Sequence, residues 1–281
     1  MRDKVTVPAI LARKGGAKLT MVTAYDAPMA SVADRAGADM ILVGDSMGNT
    51  ILGFEDTLPV TMDMIVHHTA AVTRARPGAL VIADMPWLSY HLSVEETVRN
   101  AGRLVREARA EAVKLEGGRK RLPMIEAILA AEIPVMGHLG LTPQSIHRMG
   151  GHRVQGRQLD AARELLADAR ALAEAGVFAI VLEGIPDALA AVITESVHVP
   201  TIGIGAGPSC DGQVLVFHDV LGFGEGRMPR FVRQYAQLGE VATEGLRRFF
   251  ADVQSGAFPA NTESYHMDET AARELRNEQG D

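Results

Sequence analysis

The chain has 281 residues, 47% of them hydrophobic and 5% aromatic, and a formal net charge of −7. That length is close to the ~250 residues of one (β/α)8 barrel with modest additions, and an acidic chain without a basic patch offers no grip for a nucleic-acid backbone. The single cysteine, Cys210, can form no internal disulfide, no apolar run reaches a membrane span, and Met1–Arg13 lacks a signal-like apolar core, so the sequence predicts a soluble cytoplasmic protein with neither nucleic-acid nor membrane partner.

Short apolar runs ending in Gly, Asp or Pro alternate with stretches of helical spacing. The sequence predicts a strand at Leu19–Tyr25, a helix at Pro28–Ala36 stopped by Gly37, and a strand at Met40–Asp45. A helix follows at Met62–Ala75, started by Thr61 or Asp63, then a strand at Leu80–Met85. Ser93 and Glu96 have capping-box spacing for a helix at Val94–Ala110. Next come strand Ala112–Glu116, helix Arg119–Ala131, strand Pro134–Leu139, helix Asp160–Ala175 stopped by Gly176, and strand Phe178–Glu183. Helix Pro186–Ser196, strand Thr201–Gly205, a less regular strand at Val214–His218 and helix Phe231–Val253 complete the pattern.

Strands alternating with helices argue for a parallel sheet buried on both faces. Right-handed crossovers leave either an open doubly wound sheet or a closed barrel. Eight runs at this length favour a single (β/α)8 TIM barrel over residues 1–260, with an N-terminal extension and a charged, mobile tail at 261–281 in which Asp268–Glu278 has the pattern of a short helix. Two connections, Ser46–Pro59 and Leu141–Gln158, are long enough to act as binding loops.

In a barrel the active site lies where the strands end. Five successive predicted strands bring ionisable groups there: Asp45, Asp84, Lys114 with Glu116, His138, and Glu183. A period of two puts Lys114 and Glu116 on one face. Each group also has a purely structural reading: Asp45 as a cap, Asp84 as a turn acid, Lys114–Glu116 as an ion pair, His138 as a core histidine, Glu183 as a helix-start acid. Together, four carboxylates and a lysine in one poorly solvated mouth need compensation, and a divalent cation supplies it. Carboxylate donors without thiolates or clustered imidazoles suit Mg²⁺, whose open positions fit the two oxygens of a 2-oxo acid. Gly203-Ile204-Gly205-Ala206-Gly207 has the wrong spacing for a dinucleotide loop, adjacent His67 and His68 diverge too far on a helix to share an ion, and Cys210 reads as a bystander. Three alternatives stay open at this stage: a Schiff-base aldolase using Lys114, a metal-dependent lyase working without folate, and a non-catalytic scaffold.

The sequence resembles the ketopantoate hydroxymethyltransferase family. The resemblance rests on Thr23-Ala24-Tyr25-Asp26, Val43-Gly44-Asp45-Ser46-Met47-Gly48, Thr57-Leu58-Pro59-Val60-Thr61, His67-His68-Thr69, Ala83-Asp84-Met85-Pro86, Val113-Lys114-Leu115-Glu116-Gly117-Gly118, Gly137-His138-Leu139-Gly140-Leu141-Thr142-Pro143-Gln144, Val154-Gln155-Gly156-Arg157 and Ile202-Gly203-Ile204-Gly205-Ala206-Gly207, in order along the chain. It implies a (β/α)8 barrel that transfers a hydroxymethyl group from 5,10-methylenetetrahydrofolate to 3-methyl-2-oxobutanoate, with Mg²⁺ and a large homo-oligomer, commonly a decamer. By that pattern Asp45 and Asp84 bind the metal, Glu116 acts in or near its shell, Asp45, Ser46, Asp84 and Lys114 hold the oxo acid, His138 lies beside it, and Glu183 accepts the proton. Trp87-Leu88, Gly184-Ile185-Pro186 and the tail beyond His266 depart from the family pattern.

Overall fold

In the computed structural model, which describes residues 3–151, 153–224 and 228–278, seven of the eight apolar runs form strands and the eighth contributes only its first two residues to one. The strands are β1 (Leu19–Thr23), β2 (Met40–Val43), β3 (Leu80–Asp84), β4 (Ala112–Glu116), β5 (Val135–Gly140), β6 (Ala179–Glu183), β7 (Thr201–Ile204) and β8 (Gly212–Leu215). Every neighbouring pair is parallel, and β8 pairs back onto β1 to close the barrel. The open-sheet alternative is thereby excluded.

Alternation along the strands separates two cores. Leu19, Met21, Met40, Leu42, Leu80, Ile82, Met136, Val181, Ile202 and Val214 form an apolar cluster that fills the barrel. Ile41, Val43, Val81, Val113, Leu115, Val135 and Ile180 belong to the larger cluster beneath the surrounding helices. Burying one such side chain stabilises the fold by about 1.5–3 kcal/mol. The inward rows are apolar low in the barrel and turn polar at its upper end, with Asp84 beside Lys114 and Glu116 beside His138.

A short helix, α1 (Val7–Leu11), follows Thr6, whose side chain caps it, and places fully buried Ile10 in the interior cluster. Lys4 fixes this segment to the lower ends of β3 and β4 by donating to Ala79 O (2.6 Å), Pro77 O (3.2 Å) and Glu111 (2.6 Å). Lys14 Nζ and the Gly15 amide donate to Asp211, which also accepts from the Thr201 amide. The extension therefore forms the barrel floor.

The outer helices start and stop where local chemistry directs. Asp26 caps α2 (Ala27–Arg35), Thr61 caps α4 (Met62–Arg74) and Ser93 caps α5 (Val94–Arg106), each accepting a backbone amide. Between the first two lies α3 (Met47–Thr50), a single turn in the long β2 connection. Following β4, α6 (Leu122–Ala130) packs onto β5. The second long connection is partly ordered by a 3-10 turn (Pro143–Ser145) and α7 (Ile146–Met149). Gly176, at φ +99°, ends α8 (Leu159–Ala175), and α9 (Asp187–Ser196) precedes β7.

The last part of the barrel departs from expectation. Strand β8 lies earlier than Val214–His218, because Phe217 opens α10 (Phe217–Leu221) and donates its amide to Thr23 Oγ1 of β1. Phe231 lies outside any helix, with its ring against Gly205; the helix expected at Phe231–Val253 starts later, as α11 (Leu238–Ser255). Contacts divide the chain into Met1–Tyr235 and Ala236–Asp281. The second unit contains α11 and α12 (Glu269–Glu278), the latter where Asp268–Glu278 had helical patterning. No described helix is long and apolar enough to cross a membrane.

Candidate active site

All seven residues singled out in the sequence line one cavity of about 140 Å³ at the upper end of the barrel: Asp45, Ser46, Asp84, Lys114, Glu116, His138 and Glu183. The space suits a ligand of a few heavy atoms. Asp45 and Ser46 follow β2, and the other five lie on β3 to β6. Gly140 makes room for Glu183: its φ is +97°, and a Cβ there would overlap the Glu183 carbonyl.

Lys114 Nζ lies 2.7 Å from Asp84 Oδ1, but off hydrogen-bonding directions, so the contact is ionic and Asp84 Oδ1 retains acceptor capacity. Asp84 Oδ2 accepts the Asp45 amide at 3.3 Å. Burial pushes Asp45 up to about 6, reinforced by Glu116 and opposed by Lys114. Burial likewise raises Asp84 to about 6, against the pull of Lys114. For Lys114, burial disfavours the ammonium, but Asp84, Glu116 and Asp45 outweigh it and raise its pKa. An ammonium held 2.7 Å from the Asp84 carboxylate is a poor amine nucleophile, which disfavours the Schiff-base alternative.

His138 bridges two glutamates. Its Nδ1 lies 3.5 Å from Glu116 Oε1 and its Nε2 lies 3.1 Å from Glu183 Oε2. Burial and Lys114 lower its pKa, yet Glu116 and Glu183 prevail and lift it to about 9. That direction favours the charged ring, whose Nε2 faces the Glu183 carboxylate at ion-pair distance on the cavity edge, while Nδ1 also lies 3.4 Å from Lys114 Nζ.

Sequence reasoning missed the residues that support these groups. Gln144 is buried; its Nε2 donates to Asp45 Oδ2 (2.8 Å) and Met85 O (3.0 Å), and its amide donates to Glu116 Oε2 (3.1 Å). Tyr90 donates to Gln144 Oε1 at 2.5 Å and accepts the Glu116 amide at 3.3 Å. The buried Tyr25 hydroxyl lies 2.8 Å from Ser46 Oγ, and His68 Nδ1 lies 2.7 Å from Tyr25 O, which ties α4 to the end of β1. Gln144 stood in a matching segment, but nothing in its local pattern indicated that it spans to Asp45.

Among the described residues, no three His, Cys, Asp or Glu side chains converge as a ready metal cage. Asp84 Oδ1 and Glu116 Oε1 are nevertheless buried acceptors without hydrogen-bond partners. Asp45 and Asp84 lie side by side on neighbouring strands, and Mg²⁺ commonly takes only one or two carboxylates and fills its remaining positions with water or substrate. The donor set therefore fits such an ion. Glu116, held by Gln144 and facing His138, fits better as a neighbour of the ion than as a third direct ligand.

Eight parallel strands closed into a barrel, with the ionisable groups gathered where those strands end, define a (β/α)8-barrel enzyme. The family model for ketopantoate hydroxymethyltransferase matches residues 4–261, and the chain belongs to that family. A 3-methyl-2-oxobutanoate hydroxymethyltransferase of Syntrophobacter fumaroxidans is 54% identical over 275 residues, covering 98% of each chain. One from Moorella thermoacetica is 56% identical, covering 94% of this chain and 98% of its own. Membership makes the chain a transferase and supports hydroxymethyl transfer to 3-methyl-2-oxobutanoate. The fold extends to more distant proteins. A phosphonopyruvate hydrolase in complex with oxalate and Mg²⁺ aligns with TM-score 0.59 at 15% identity, covering 97% of this chain and 95% of its own. A 2,3-dimethylmalate lyase aligns with TM-score 0.57 at 15% identity, covering 96% and 98%.

Proposed function

We propose that the enzyme transfers a hydroxymethyl group from 5,10-methylenetetrahydrofolate to 3-methyl-2-oxobutanoate, giving 2-dehydropantoate for pantothenate synthesis, with Mg²⁺ as its ion. The observation that carries this reading is the shared cavity in which Asp45, Asp84 and Lys114 face Glu183 and His138. Asp45 and Asp84 would hold Mg²⁺, which when bound supplies a Lewis acid for the oxo acid's keto group. The same fold carries Mg²⁺ with oxalate in the phosphonopyruvate hydrolase complex.

Glu183 takes the C3 proton of the oxo acid, while His138 fixes the orientation of its carboxylate. The C3–H electron pair moves into the enolate, whose oxygen develops negative charge near the Lys114 ammonium. Ser46, oriented by Tyr25, donates a hydrogen bond to the substrate carboxylate. Water first takes the one-carbon unit off the carrier as formaldehyde, both C–N electron pairs staying on the nitrogens, which take up the two water protons; the enolate carbon then adds to that carbonyl carbon, and the resulting alkoxide takes the proton held by Glu183. The loops at Ser46–Pro59 and Leu141–Gln158 shape the donor side and limit further water entry.

Isotope exchange tests the first step apart from the donor. In deuterated water, wild-type enzyme with Mg²⁺ should exchange the C3 proton of 3-methyl-2-oxobutanoate; EDTA should stop exchange and added Mg²⁺ restore it. Glu183→Gln should abolish exchange while still binding Mg²⁺ by calorimetry. Exchange at the wild-type rate in that variant, or after exhaustive chelation, refutes the assignment concerned.

A further inference from the structure

A second cavity, of about 320 Å³, opens beside the active site and is lined by Trp87, His91, Lys120, Arg121, His147 and Arg148. The segment at 143–148 forms a wall for both spaces: Pro143 and Ile146 line the active-site cavity, while Gln144, Ser145, His147 and Arg148 line the second. Three consecutive cations, Arg119, Lys120 and Arg121, follow β4 on a single 3-10 turn. Arg119 is neutralised by Asp168 at 2.7 Å and by Glu164. Among the described residues, no salt bridge forms to Lys120, Arg121 or Arg148. Arg121 instead lies 5.3 Å from the Tyr90 ring centroid, and its Nε, like His91 Nδ1, is buried without a hydrogen-bond partner.

These cations repel one another. Burial, then Arg121 and Arg148, lowers the Lys120 pKa, while burial, then Arg121 and Lys120, lowers His91 to about 4. Asp168 and Glu116 offset the charge of Lys120 only in part, and a hollow with this excess of cations attracts an anion bearing several charges. Half-exposed Trp87 at its edge gives a flat apolar surface for a ring. A ligand combining an aromatic body with a carboxylate-bearing arm satisfies both features, and it would lie directly across the 143–148 segment from the oxo acid.

We propose that this cavity binds the flexible polycarboxylate arm of the one-carbon carrier. The inference rests on the folate-donor reading above, which supplies a carrier of that chemistry. Lys120 and Arg148 take the carboxylates along the arm, Arg121 adds its positive charge at the wall, and Trp87 borders the ring.

Trp87 is the chain's single tryptophan, so its emission reports occupancy. The probe is a γ-linked pentaglutamate peptide, free of any folate, titrated at low ionic strength. Wild-type protein should bind it with a change in Trp87 emission, and binding should weaken as salt rises. The double variant Lys120→Ala/Arg148→Ala should weaken it about tenfold or more, whereas Lys120→Arg should retain it; a thermal melt verifies folding. The same double variant should erase the affinity advantage of pentaglutamyl over monoglutamyl tetrahydrofolate. No peptide binding, or equal binding by the double variant, overturns the proposal. Inorganic pyrophosphate competing with the peptide is consistent with it, while pyrophosphate binding without peptide binding overturns the carboxylate assignment. If the peptide binds and the variants lose it but folate never serves as donor, the anionic-arm site stands and the donor reading fails.

Discussion

Replacing Gln144 with leucine removes a buried link without adding charge. Its side chain donates to Asp45 and Met85 and accepts from Tyr90, at 2.8, 3.0 and 2.5 Å. A hydrogen bond to an ionised group contributes about 1.5–3 kcal/mol, and each buried polar group left unpaired costs about 1–3 kcal/mol. With partial relaxation, a stability loss of roughly 3 kcal/mol follows, or about 6–12 °C in melting temperature for a chain of this size. Gln144 also favours the Asp45 carboxylate, so its loss should move the Asp45 pKa upward from about 6. Removing a partner that orients a metal-binding group typically costs about 10–100-fold in affinity. Mg²⁺ calorimetry at pH 7 on folded Gln144→Leu should show a loss in that range. Affinity within twofold of wild type would refute the idea that Gln144 sets the Asp45 geometry.

Because Asp45 and Asp84 are both raised to about 6, protons compete with the ion in mildly acidic solution. Mg²⁺ affinity should therefore climb about tenfold or more between pH 5 and 6 and level off above about pH 7; a flat profile by calorimetry would exclude these two as its ligands. The same raised values mean that the metal-free fold gains stability from their protonation at low pH and loses it as pH rises through about 6. Asp211 behaves in the opposite sense. Burial works against its carboxylate, but Lys14 and the Thr201 and Gly15 amides hold its pKa below the usual range. That stabilisation is present above the unfolded carboxylate's pKa and lost as pH falls through the folded value. Asp211→Asn should cost about 3 kcal/mol at pH 7 and flatten the acid limb of the urea-stability curve; an unchanged limb would reject the assignment.

The barrel and its acidic mouth were legible because both depend on short-range regularities. Strands buried on both faces are short apolar runs, and the ionisable groups stand at their ends. Strand β8 was less legible because Gly212 and Gln213 are not typical strand residues, whereas Val216 and Phe217 are apolar and extend the run past its end. The supporting network was hidden for a different reason. Gln144 sits in a 3-10 turn, and its partner Asp45 is 99 positions away; no local period encodes that contact. The basic hollow was hidden too, since Arg119, Lys120 and Arg121 are alike in sequence and only folding assigns carboxylates to the first.

The floor of the barrel also constrains the timing of assembly. Lys14 and Gly15 leave the ribosome early, yet Asp211, which receives them, is made nearly two hundred residues later. Ile10 has no finished interior to enter before then. Lys4 can meet Ala79 and Glu111 sooner, but the seating of Ile10, Lys14 and Gly15 waits through most of translation and marks completion of the ring.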